Sequence, residues 1–117
     1  MNFSDFIKTE KTILFDGAMG TELEKLGLDL GCPGLFNISH PELVLEIHKG
    51  YVDSGSKVIA TNTFTLNSIY INTHHQEIDL EMGNRLGVQI AKKAAGGKAY
   101  VLGNMTSCGQ LREPFGD

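Results

Sequence analysis

Cysteine occurs only twice in the 117 residues, at Cys32 and Cys108. That is too sparse for a disulfide framework. Neither thiol belongs to a C-x-x-C pair, so no metal-ligand pairing can be read from them, and each is taken as a simple thiol in a glycine-containing loop. Positive charge is also in short supply: 10 Lys and Arg stand against 14 Asp and Glu, a formal net charge of −4. With no basic stripe and no basic–aromatic interleaving, neither nucleic acid nor an anionic membrane is the expected partner. No apolar run is long enough to span a bilayer. The opening Met1-Asn2-Phe3-Ser4-Asp5-Phe6 has neither the basic start nor the apolar core of a signal peptide. A reducing, cytoplasmic setting is the simplest expectation.

What is present suits a soluble globular domain, with 41% hydrophobic and 21% charged residues. Residues 1–117 read as at most one domain, long enough to bury a core. The 14 glycines fall mostly at the boundaries of periodic segments rather than in a low-complexity tract.

Lys11 to Phe15 reads as a first strand. Thr21 to Leu26 reads as a short helix ended by Gly27, and a turn-rich passage follows through Gly31-Cys32-Pro33-Gly34. Ser39 and Glu42 form a capping-box pattern with Pro41 in the first turn, which starts a helix whose apolar face is Leu43, Ile47 and Tyr51. Gly55 stops that helix, and Lys57 to Ala60 is a second strand. Another helix is expected from Glu77 to Ala95, with Ile78, Met82, Leu86, Ile90 and Ala94 recurring every fourth residue before Gly96-Gly97. Ala99 to Leu102 is a third strand, and Met105 to Asp117 reads as loop.

The order β-α-β-α-β implies right-handed crossovers and a parallel sheet. Such an order opens either a doubly wound sheet or a (β/α)8 barrel, and a whole barrel needs about 250 residues. The expected fold class is therefore α/β, the first three β/α units of a TIM-type barrel, truncated in the loop after the third strand. A flavodoxin-like binding module shares the topology but would want a phosphate-binding loop, and Gly17-Ala18-Met19-Gly20 matches neither the dinucleotide nor the Walker spacing.

Two strand exits carry the candidate chemistry. Asp16-Gly17-Ala18-Met19-Gly20-Thr21 follows the apolar run Ile13-Leu14-Phe15 and puts an acid and open backbone where parallel α/β folds bind ligands. The residues leave two roles open for Asp16: accepting hydrogen bonds from a substrate ammonium, or capping the following turn. Thr61-Asn62-Thr63-Phe64 follows the second strand and either lines the same mouth or bonds to neighbouring loops, with Phe64 as core packing. The histidines His40, His48, His74 and His75 have no metal-binding spacing, and His48 is expected on a partly solvated surface beside Lys49. No Ser/His/Asp or Cys/His arrangement is visible, so neither a catalytic residue nor a metal ligand is assigned.

Taken together, Asp16-Gly17-Ala18-Met19-Gly20-Thr21, Asn37-Ile38-Ser39-His40-Pro41-Glu42, Ile47-His48 with Tyr51, and Thr61-Asn62-Thr63-Phe64 resemble, in order and spacing, the opening of the homocysteine S-methyltransferase family, most closely its cobalamin-dependent methionine-synthase branch. The tail, Asn104-Met105-Thr106-Ser107-Cys108-Gly109 with Leu111 and Pro114-Phe115-Gly116-Asp117, is similar to the family's Gly-Pro-Thr-Gly loop and Pro-x-Gly-Asp segment but lacks the loop proline.

The resemblance implies zinc-dependent methyl transfer to the thiol of homocysteine, giving methionine. The donor it implies is methylcobalamin regenerated by methyltetrahydrofolate, or, in other branches, S-methylmethionine or betaine. Bound zinc would lower the thiol pKa. Asp16 and Gly17 would hold the amino-acid part of homocysteine, with Thr61, Asn62 and Thr63 lining the same mouth. The family's zinc ligands are one cysteine in an Asn-Cys segment and two in a Gly-Gly-Cys-Cys segment on later strands, and neither segment occurs here. The chain is thus expected to carry part of the substrate pocket and none of the metal site, and to be inactive alone. The alternative is a non-catalytic split-barrel fragment completed by another chain.

Overall fold

Two three-residue strands, β1 (Val58–Ala60) and β2 (Tyr100–Leu102), form the centre of the molecule and pair in parallel with Ile59 opposite Val101. The computed structural model describes residues 1–28, 31–74 and 76–106. A parallel pair needs a crossover connection, and α5 (Ser68–Thr73) and α6 (Leu80–Ala95) supply it. Ahead of β1 come α1 (Phe3–Thr9), α2 (Gly20–Lys25), a 3-10 turn (Pro33–Leu35), α3 (Phe36–Ser39) and α4 (Pro41–Asp53).

The expected first strand is reduced to a single bridge. Phe15 pairs in parallel with Val58, Lys57 N–H donates to Leu14 O at 2.8 Å, and Asp16 N–H donates to Val58 O at 3.0 Å. Two strands rather than three are present among the described residues. Among the described residues the run Ile13-Leu14-Phe15 lies along one neighbour, β1, and Leu14 and Phe15 remain 53% and 49% exposed. Paired there along one flank, the segment is extended without becoming a full ladder.

Helix α4 begins and ends where its sequence signals lie, but the capping box does not form. His40 occupies the N-cap position without a side-chain cap bond. Ser39 instead closes α3, its hydroxyl donating to Leu35 O at 3.4 Å. The buried face of α4 is Val44, His48 and Val52; Leu43, Ile47 and Tyr51 flank it, partly buried. α4 is covered from two sides, so its buried arc centres between two apolar rows: Val44 packs in a cluster with Leu23, Phe36 and Ile90, while Val52 packs with Ile59, Ala91 and Ala94. His48 therefore sits in the interior at 0% exposure, not on the surface expected of it. Neither ring nitrogen has a hydrogen-bond partner among the described residues, and burial pushes its pKa down from 6.5 to about 4.

Helix α6 starts at Leu80 under an Asp79 cap, whose carboxylate accepts from Met82 N–H at 3.0 Å, and ends at Gly96 in the left-handed region (φ 52°). The every-fourth-residue row drifts by about 40° per step around a helix of 3.6 residues per turn. Met82 accordingly ends up 47% exposed, whereas Gly83, Gly87, Ile90, Ala91 and Ala94 face inward. Two elements carried no clear periodic signal. α1 covers the foot of β2, with Phe6 and Tyr100 rings 4.9 Å apart. α5 is capped by Asn67, which accepts from Tyr70 N–H at 2.8 Å. Cys32 is buried at 4% exposure with Leu66 and Ile71, its Sγ 3.5 Å from Thr65 Oγ1, so it is a packed core thiol rather than a loop one. Cys108, His75 and the tail from Ser107 to Asp117 lie outside the described residues.

Candidate functional site

The bridge at Phe15 leaves Asp16 as the first residue beyond the sheet, and its side chain continues the pairing that the backbone stops. Asp16 N–H bonds Val58 O, and Asp16 Oδ2 then accepts from Ala60 N–H at 3.0 Å, as a backbone carbonyl would in the next rung. The bond runs to the following strand rather than into the Asp16 turn itself, so the capping role takes a form the sequence did not suggest. Partial burial raises the Asp16 pKa above the ordinary carboxylate value, and the Ala60 N–H opposes that rise by favouring the ionised form.

The exit of β1 is organised differently. Thr61 Oγ1 lies 2.7 Å from Thr63 Oγ1, Thr63 Oγ1 donates to Asn104 O at 2.8 Å, and Asn104 N–H donates to Thr61 Oγ1 at 3.0 Å. A hydroxyl has one proton. Thr63 gives its proton to Asn104 O, so the Thr61 proton goes to Thr63, and the three groups close a ring that ties this loop to the exit of β2.

Asn62 spends both amide protons on the scaffold, one on Pro33 O at 2.9 Å and one on Asn37 Oδ1 at 3.0 Å. Asn37, at 0% exposure, returns its own Nδ2 to Asn62 O at 2.7 Å and to Gly83 O at 3.1 Å. α6 can come this close because it presents glycine: a Cβ on Gly87 would lie 2.7 Å from Thr63 Cγ2 and 2.8 Å from Asn37 Nδ2.

Between the two exits lies an open cavity of about 500 Å³, walled by Asp16 and Gly17 on one side and by Thr61, Asn62 and Phe64 on the other. Four of the five expected site residues meet there. Thr63 does not; it faces a smaller hollow of about 90 Å³ beside Asn84 and Met105. Phe64 is 52% exposed and forms cavity wall, not the core packing that the loop-bonding alternative gave it. Asp16 is the sole ionisable side chain among the described residues lining the cavity.

With the Asn62 protons committed, the charge on the polar wall comes from Asp16 alone, whose carboxylate keeps spare acceptor capacity; the Thr21 and Thr65 hydroxyls beside it can donate or accept. That arrangement suits a ligand that brings hydrogen-bond donors and positive charge, such as an ammonium group. Pro33, Met19 and Phe64 supply apolar surface beside it. Asn37 and Met19 were both inside quoted motifs, yet only the fold shows what each touches. The described residues contain no group of three or more His, Cys, Asp or Glu able to hold a metal ion. No helix among them is long and apolar enough to cross a membrane.

Parallel strands with an acid-walled cavity at their carboxyl ends define an α/β arrangement of the kind that places ligands at its strand exits. The family model for homocysteine S-methyltransferase matches residues 13–115, and the chain belongs to that family. Its curated relatives include the methionine synthase of Mycobacterium tuberculosis (strain ATCC 25618 / H37Rv), 29% identical over 112 residues that cover 85% of this chain and 9% of the relative. The methionine synthase of Mycobacterium leprae (strain TN) is 29% identical over 117 residues, covering 87% of this chain and 10% of the relative. The chain thus spans about a tenth of the length of these relatives.

Among solved structures, the homocysteine methyltransferase MmuM from Escherichia coli in its metallated form superposes with a TM-score of 0.68 at 23% identity, over 86% of this chain and 39% of that one. Its oxidised form gives 0.66 at 24%, over 83% and 37%. At these identities the likeness is one of fold: an α/β arrangement resembling part of a homocysteine methyltransferase domain.

Proposed function

We propose that this chain is the homocysteine-binding opening of a homocysteine S-methyltransferase of methionine-synthase type, in which Asp16 and Gly17 take the amino-acid end of the substrate. The observation that carries the reading is the placement of Asp16: one carboxylate oxygen is fixed by Ala60 N–H while the side chain borders the cavity. An incoming ammonium would supply the opposite charge that offsets the burial of the carboxylate. Thr61 and Asn62 shape the facing wall, and Thr63 acts behind it by holding Asn104 and Thr61 in place. A cytoplasmic location goes with this reading.

Methyl transfer needs a thiolate, and a free thiol has a pKa of about 8.5. Among the described residues the only base bordering the cavity is the Asp16 carboxylate, which this reading commits to the substrate ammonium. Zinc, which would bind and acidify the thiol, does not fit the described residues: they offer no cluster of ligands, and Cys32 is buried against Thr65. In this reading the metal belongs to the remainder of the (β/α)8 barrel, as does access to the methyl carrier, cobalamin or an S-methylmethionine-type donor. The isolated chain binds substrate without turning it over.

L-homocysteine titrated into the 117-residue chain is expected to shift the backbone amide resonances of Asp16, Gly17 and Ala60. Asp16→Asn is expected to weaken that binding by about 10-fold or more, the worth of a charge-assisted hydrogen bond. Unchanged affinity in Asp16→Asn would remove the basis of the assignment, and turnover with stoichiometric zinc in the isolated chain would overturn its inactivity. A second reading, a non-catalytic split-barrel piece completed by another chain, is favoured by the half-exposed Leu14 and Phe15 along the one-sided segment beside β1. Association on size-exclusion chromatography without any homocysteine-dependent shift would select it.

A further inference from the structure

The Asp16–Gly20 turn leaves the sheet after a single bridge, and Gly17 and Ala18 within it are exposed. Tyr51 of α4 reaches this turn with a hydrogen bond, its Oη donating to Ala18 O at 2.6 Å. The Tyr51 ring also underlies Gly17, where an added Cβ would lie 2.9 Å from Oη and 3.1 Å from Cε1. Gly17 is not among the glycines with positive φ, so its lack of a side chain answers to the ring beneath it rather than to backbone conformation.

Tyr51 is itself well placed to act as a fixed point. It stands on a helix anchored by buried Val44, His48 and Val52, and its own carbonyl accepts from Ser56 N–H at 3.0 Å. Ser56 in turn donates through Oγ to Phe15 O at 3.1 Å, one residue before Asp16. Burial, with Glu22 and Asp16 nearby, raises the Tyr51 pKa, so the phenol keeps its proton and remains a donor.

We propose that Tyr51 is a positioning residue for the cavity: by holding Ala18 and filling the space beneath Gly17, it keeps the Asp16 carboxylate on Ala60 N–H and at the cavity wall. Its bearing on ligand binding rests on the homocysteine reading above; its hold on Asp16 does not.

The test compares the wild-type chain with Tyr51→Phe, Gly17→Ala, the double variant and Asp16→Asn, following amide exchange and L-homocysteine titration on each. Loss of one hydroxyl is expected to speed exchange at the Ala60 amide by about 3- to 10-fold, the range of one hydrogen bond. The Thr61 amide, bonded to Leu102 O on the other side of β1, should be unchanged. L-homocysteine affinity should fall by a similar factor. Gly17→Ala should cost more affinity in the wild-type background than in the Tyr51→Phe background, where the Oη contact is already gone.

Unaltered Ala60 exchange in Tyr51→Phe overturns the proposal, and so does an equal rise at Ala60 and Thr61, the mark of a general loss of stability. Selective Ala60 exchange combined with homocysteine binding that Asp16→Asn leaves intact, or with no binding at all, upholds the positioning role and overturns the homocysteine reading instead.

Discussion

The Asp16–Gly20 turn and the Thr61–Thr65 loop wall one cavity, yet they are built on different principles. The second is buried and closed on itself: Thr61, Thr63 and Asn104 form a ring of hydrogen bonds, and Asn62 is locked to Asn37 and Pro33. The first is partly exposed, Gly17 and Ala18 most of all, and is held from outside by Ala60, Val58 and Tyr51. In the closed loop the polar groups have consumed one another, which gives rigidity and leaves little to offer a ligand. In the tethered turn a carboxylate keeps spare capacity, at the expense of depending on distant elements. A binding site needs both kinds of wall, and here they come from successive strand exits.

The closed loop should break at Asn37. Asn37→Ala strips partners from Asn62 O, Gly83 O and Asn62 Nδ2 together, and unsatisfied buried groups cost about 1–3 kcal/mol each. A loss of about 3 kcal/mol in urea-induced unfolding is expected on that scale; a loss near zero would show that the amide pair does not hold the loop.

Acid should reach the tethered turn through α4. The His48 pKa is 6.5 unfolded and about 4 in the fold, so between those values the unfolded chain binds more protons. Stability is complete above about pH 6.5 and is lost as pH falls toward 4, by about 3 kcal/mol across the window. His48→Leu should remove that portion of the pH dependence and raise stability at neutral pH, since two unpartnered ring nitrogens leave the interior. Denaturant melts at several pH values would show it, and parallel pH curves for the two proteins would refute it.

A smaller contrast sets the glycines of α6 against that of α4. Gly87→Ala pushes a methyl into Thr63 and Asn37 and should cost about 1–3 kcal/mol by overpacking. Gly50→Ala meets nothing within 4 Å and should stabilise the chain by about 0.5–1 kcal/mol through helix propensity. Equal effects at the two positions would mean that Gly87 is not an approach point for the closed loop.

Much of the tethered turn was legible in the sequence, because an acid and glycines after an apolar run state their position directly. The C-terminal ends of α4 and α6, marked by Gly55 and Gly96, and the two strands were equally plain, whereas the start of α6 reads as Glu77 in the sequence and lies at Leu80 under the Asp79 cap. Other features were not local. Ile13-Leu14-Phe15 has the composition of a strand, but whether it has two neighbours depends on chain segments far away. Which row of α4 faces inward depends on what covers it, so His48 read as a surface residue and proved to be central. The engagement of Thr61, Asn62 and Thr63 with Asn37, Pro33 and Asn104 joins residues 25 to 43 positions apart, and no spacing rule could have paired them.

One consequence follows from the Asp16 side chain standing in for a carbonyl rung. A residue that is at once joinery and ligand contact cannot be retuned for a new ligand without loosening the sheet that presents it. Redesign of the cavity, whether by an engineer or by drift, is channelled to the opposite lip, where the half-exposed Phe64 side chain holds no strand together. Position 16 is conservative by construction: an acceptor oxygen there comes with the architecture, and variety in what the cavity accepts must be written elsewhere.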